Sequence, residues 1–118
     1  MNQIGETIDK KKLLCREFDV QQIKYLFKVN PFIVMSWGLS EISLETNMEH
    51  TRVVRLSVNG FKHKGFVYIF LNGLDLFDVI LTDKKDVITQ RTNGMGIYVD
   101  ELINWIDENV EKQPSYVH

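Results

Sequence analysis

The six residues Phe66-Val67-Tyr68-Ile69-Phe70-Leu71 carry no charge, and a single phenol is their only polar group. A β-branched and aromatic run of that length is too short for a helix and fits a strand covered on both faces. Gly65 before it and Asn72-Gly73 after it supply turn signals at each end. At a sheet edge this strand would template aggregation, so the flanking chain has to provide neighbours for it. On one side Val54, Leu56 and Val58 alternate with Arg55, Ser57 and Asn59, the pattern of a strand with one wet face. On the other, Leu76–Thr82 places Phe77, Val79 and Leu81 on one face. Asp83-Lys84-Lys85-Asp86 reads as a polar hairpin connection to Val87–Arg91, a wetter strand suited to the sheet edge.

Two turns compete ahead of the central strand. Asn59-Gly60 fits a two-residue type I′ hairpin, and residues 59–65 fit a wider loop. The wide loop is preferred, because Lys62, His63 and Lys64 are poor company for a buried strand. It places Phe61, Lys62, His63 and Lys64 at an exposed tip, the candidate contact of the chain.

Helices are expected at both ends of the strands. Asp19 with Gln22 has capping-box spacing, and Phe18 with Ile23 has that of a hydrophobic staple. Ile23, Leu26 and Phe27 share a face, and Pro31 stops the helix, which predicts a helix over 19–29. Phe32–Trp37 reads as a strand broken at Gly38, with Ile42-Ser43-Leu44 resuming it. At the far end Val99, Leu102, Ile103, Ile106 and Val110 form an apolar stripe opposite Asp100, Asn104, Asp107 and Glu111. The resulting fold class is α+β: an antiparallel β-meander of about five strands, with an N-terminal and a C-terminal helix packed on the sheet. The C-terminal helix is expected across one face; the 19–29 helix or a twin subunit covers the other. Residues 1–18 form a partly ordered N-terminal segment, 19–112 the domain, and 113–118 a frayed tail.

The composition excludes several function classes. With 118 residues, 44% hydrophobic and 25% charged, this is an ordinary globular domain. A formal charge of −2 gives no general attraction to nucleic acid or acidic membranes. The single cysteine, Cys15, cannot form an internal disulfide, which points to a reducing cytoplasm. No apolar stretch reaches the ~20 residues of a membrane span, and Gly5, Glu6 and Asp9 ahead of Lys10-Lys11-Lys12 leave no signal-peptide core. Gly94-Met95-Gly96 lacks the third glycine of a dinucleotide fingerprint, and there is no phosphate loop or nucleophile elbow. His50, His63 and His118 are scattered and read as solvated, without metal-ligand spacing. Asp100 and Asp107 are i, i+7 on a helix, about 10 Å apart along the axis, too far for one ion. No catalytic, cofactor-binding or metal-binding residue is therefore assigned, and the chain is expected not to be an enzyme.

Three stretches together resemble a family of small proteins from bacteriophages and related bacterial mobile elements. They are residues 32–38 (FIVMSWG), residues 67–79 (VYIFLNGLDLFDV) and residues 96–102 (GIYVDEL). The resemblance spans about residues 22–110, and it implies an origin and a fold rather than a mechanism. Trp37-Gly38 departs from the small residues usual there. The expected function is a non-catalytic protein-interaction module with a protein partner, a homodimer being one form. The alternative is a binder of single-stranded nucleic acid, with Phe61 stacking and Lys62, Lys64 and protonated His63 meeting phosphates.

Overall fold

The computed structural model describes residues 3–9, 21–46, 52–92 and 95–111. Five strands form one sheet in chain order: β1 Glu41–Thr46, β2 Arg52–Asn59, β3 Lys64–Leu71, β4 Phe77–Thr82 and β5 Ile88–Arg91. Every neighbouring pair is antiparallel, so the sheet is the expected meander with β3 at its centre. Helix α1 spans Gln21–Val29, α2 Pro31–Ser36 and α3 Leu102–Val110, the last entered through a 3-10 turn over Val99–Glu101. Phe18 and Asp19 of the expected staple and capping box, Cys15, Lys10–Lys12, His50, His118 and the 113–118 tail lie outside the described residues.

Alternation along β2, β3 and β4 sorts side chains onto two cores. Val54, Leu56, Val58, Val67, Ile69, Phe77, Val79 and Leu81 face the helices and pack with Ile23, Val34, Trp37, Leu102, Ile103, Ile106 and Val110. Val53, Tyr68, Phe70, Ile80 and Ile88 gather on the reverse face with Ile8. Helix α1 therefore lies on the same side as α3 and does not cover the second face. There Ile8 supplies a lid from residues 3–9, whose backbone pairs beside β5: the Ile8 amide donates to the Asp86 carbonyl at 2.8 Å, and the Ile88 amide to the Glu6 carbonyl at 2.8 Å. The buried Tyr68 hydroxyl donates to the Asp86 carboxylate at 2.6 Å, which satisfies a group that would otherwise be costly to desolvate. Asp86 occupies the left-handed region (φ 65°), a conformation that aspartate tolerates in turns.

The 32–37 stretch is a correction to the sequence reading. Residues 32–36 lie in helix α2, not a strand, with Pro31 in the first turn, Asn30 as the N-cap and Trp37 as the C-cap. Proline lacks only an N–H that the first turn leaves unpaired anyway, and its fixed φ suits that position. One residue, Asn30, separates the two helices; its side-chain amide donates to the Leu26 carbonyl at 2.9 Å. Trp37 then anchors the pair: fully buried, it meets Phe27 edge-to-face at 5.9 Å and donates its indole N–H to Asp107 on α3 at 3.1 Å. Chain reversal into β1 uses Gly38 at φ +64°, where a Cβ would lie 2.5 Å from the Asn59 carbonyl oxygen.

A buried polar junction joins the β3–β4 turn to the segment after β5. Asp78 accepts from the Thr92 hydroxyl at 2.6 Å and from the Asn72 amide at 3.0 Å. The Asn72 side-chain Oδ1 in turn accepts the Leu74 amide at 2.8 Å and the Leu76 amide at 3.2 Å. All three residues are buried and mutually satisfied, which makes the cluster a structural joint.

On α3 the expected stripe holds at Leu102, Ile103, Ile106 and Val110, all buried, whereas Val99 is exposed in the 3-10 turn. Ile106, with no exposed surface, sits between α3 and the sheet. Ile106→Ala should cost about 2–4 kcal/mol through lost transfer energy and the cavity left behind. The midpoint of chemical denaturation measures it, and an unchanged midpoint would mean that α3 does not dock as described.

Candidate functional site

Strand β2 ends at Asn59 and pairs there with Lys64, so Gly60–His63 form the wider of the two loops considered. The loop is not a free tip, because it closes the C-terminus of α3. The last carbonyls of a helix lack intrahelical donors. Here the Lys62 and His63 amides both donate to the Val110 carbonyl, at 2.8 and 3.2 Å, and the Lys62 ammonium donates to the Glu108 carbonyl at 2.9 Å. Position 60 has to be glycine-sized: a Cβ there would stand 2.5 Å from the Val110 carbonyl oxygen. The Phe61 amide donates to the Glu111 carboxylate.

The four candidate residues are thus divided. Phe61 and Lys64 are exposed, Lys62 is exposed but bonded along the helix end, and His63 is buried. The solvated reading of His63 is corrected by this packing. Its Nε2 lies 3.3 Å from the Phe66 carbonyl oxygen; that oxygen can only accept, so Nε2 carries the hydrogen. Burial lowers the imidazole pKa below its ordinary value of 6.5, a shift that the Phe66 and Thr82 carbonyls and the Asp83 charge oppose but do not cancel.

The sequence reading missed a different surface. Helix α1 buries Ile23 and leaves Tyr25 and Val29 exposed four residues apart. Helix α2 buries only Val34; Phe32 and Met35, three residues apart, are 86% and 73% exposed, and Ile33 is 37% exposed. Residues three or four apart share a helix face, so two apolar pairs flank the Asn30 joint. Exposed Lys24 and Lys28 accompany them, and residues 21–36 contain no Asp or Glu. Summed over the two helices, these five apolar side chains expose on the order of 500 Å². The signal in the sequence was Pro31, which as a helix start turns Phe32 and Met35 away from the core.

A second feature is a groove along the solvent side of α3, with a volume of about 290 Å³. It is lined by Ile97, Asp100, Glu101, Asn104, Trp105 and Glu108. Among the described residues, three carboxylates and no Lys or Arg line it with half-buried Trp105. The Glu101 carboxylate also accepts the Tyr98 amide at 3.0 Å, which fixes the start of the 3-10 turn. Asp107, placed by sequence on the wet face with Asp100, instead holds the Trp37 indole. Among the described residues no helix is long and apolar enough to cross a membrane. Nor does any group of three His, Cys, Asp or Glu side chains among them have metal-binding geometry. Comparison with known proteins returns no matching family model, curated protein or solved structure.

The shift at His63 has a definite sign. A histidine whose folded pKa lies below its unfolded value binds protons more readily when unfolded, so stability falls as pH drops below 6.5 and levels off once the folded pKa is passed. His63→Gln removes that ionisation. Denaturation midpoints taken from neutral pH downward should show the unsubstituted chain losing ground to the variant below pH 6.5. Parallel profiles would contradict the buried, neutral imidazole.

Proposed function

We propose that this chain is a non-catalytic protein-interaction module, of the bacteriophage or mobile-element kind that its motifs resemble, and that it docks through the α1–α2 ridge. The observation that carries this reading is Phe32. A phenylalanine 86% exposed, beside Met35 at 73%, sits on a six-residue helix that buries one side chain. Monomeric domains seldom leave such a cluster in water, and contact surfaces are where aromatic side chains and methionine are enriched. Lys24 and Lys28, with no carboxylate between residues 21 and 36, favour a partner whose apolar pocket has an acidic rim.

The nucleic-acid alternative at residues 61–64 has less to support it. Of its four groups His63 is buried, Lys62 is bonded to α3, and the Glu111 carboxylate sits on the Phe61 amide. A carboxylate at that place repels the phosphates that the loop would have to attract.

The test places a photo-crosslinking phenylalanine analogue at position 32, identifies the captured protein, and titrates that protein in purified form. Phe32→Ser should weaken binding by about 2 kcal/mol or more, the scale of an interface hot spot, while Phe61→Ser leaves it unchanged. Binding indifferent to Phe32, or lost with Phe61, would overturn the assignment.

A further inference from the structure

We infer that the partner fitted by the α1–α2 ridge is a second copy of this chain, with the ridge of each copy seated in the α3 groove of the other. This rests on the reading of the ridge as the contact surface, and it names the occupant. The two surfaces are complementary within one molecule. The ridge offers Phe32, Met35 and Tyr25 with Lys24 and Lys28 and no carboxylate in residues 21–36, while the groove offers Trp105 and Ile97 among Asp100, Glu101 and Glu108 and, among the described residues, no Lys or Arg. A cavity of 290 Å³ is at the lower end of ligand-pocket sizes, suited to one or two inserted side chains. A lysine reaching Trp105 from beside the inserted ring would meet the face of an indole as well as the carboxylates.

Ridge-to-ridge pairing is the less favourable geometry. A two-fold axis through the ridge would bring Lys24 and Lys28 of both copies together with no acid from residues 21–36 to offset them. Reciprocal ridge-to-groove docking removes that conflict, and both surfaces belong to helices that pack on the same face of the sheet.

The experiment is charge-swap complementation, read by sedimentation equilibrium on the full chain. One variant is Lys24→Glu/Lys28→Glu on the ridge; the other is Asp100→Lys/Asn104→Lys in the groove. All four positions are exposed, so circular dichroism should show both variants folded. The unsubstituted chain should dimerise at high micromolar concentration, and each variant alone should dimerise at least about tenfold more weakly, because the ridge variant sets glutamates against an acidic groove and the groove variant cancels the groove's net negative charge. An equimolar mixture of the two should recover the dimer, since the intact lysine ridge of one variant finds the intact acidic groove of the other, and the glutamate ridge meets a groove that carries two introduced lysines. A groove variant that dimerises unaided would overturn the proposal in favour of ridge-to-ridge pairing. Growth beyond the dimer would overturn reciprocal closure. An unsubstituted chain that stays monomeric would overturn self-association; Phe32-dependent binding of a different protein would then leave the interaction-module reading standing.

Discussion

The structure depends on the desolvation of β3 from both sides. Tyr68 and Ile69, with Val67 and Phe70 beside them, have almost no exposed surface, and their side chains alternate between the two cores. Burying large apolar side chains on both faces is worth roughly 1.5–3 kcal/mol each, a gain available only if the chain covers the sheet twice. On one face α3 and Trp37 do so. On the other Ile8 joins Ile80 and Ile88, and the Tyr68 hydroxyl at the rim of that core is matched by Asp86. Antiparallel partners on each side of β3 pair its backbone, so the most aggregation-prone stretch of the chain has no open edge.

The turns of the meander serve this arrangement. Asn72 organises the β3–β4 turn and ties it to Asp78; Asp83 accepts the Lys85 and Val87 amides at the β4–β5 turn. The loop between β2 and β3 caps α3. Loops on a sheet scaffold are where contact residues usually sit. Here several of their polar groups hold helix and sheet together, and the surface proposed for contact is the outer side of the short helices α1 and α2 with the α3 groove.

Much of the sheet was legible because period-2 alternation survives in β2 and β4, and because an uncharged six-residue run suits only a central strand. The α3 stripe was legible at 102, 103, 106 and 110 for the corresponding reason at helical period. Legibility failed where composition and environment part company. Phe-Ile-Val-Met-Ser-Trp has the β-branched and aromatic content of a strand, yet Pro31 starts a helix there; only Val34 and Trp37 of that run are buried. The same misreading hid the candidate surface, since apolar residues in a supposed strand are assigned to the core. At His63 the polar Lys-His-Lys string suggested water, whereas the capping role of the loop draws the imidazole inward. Which helices share a face of the sheet is a tertiary fact with no local periodicity to report it.

Strand β3 is covered on both faces, whereas α1 and α2 dock on one side only, through Ile23, Leu26, Phe27, Val34 and the following Trp37, and leave the surface proposed for contact in water. Residue-resolved hydrogen exchange under native conditions tests this most directly, because core strands open only with global unfolding while weakly anchored elements open locally. The amides of Val67, Tyr68 and Ile69 should be the slowest to exchange and track global stability, with α1 and α2 amides exchanging much faster through local opening. Amides of α1 and α2 as protected as those of β3, or β3 exchanging as fast as β5, would contradict it.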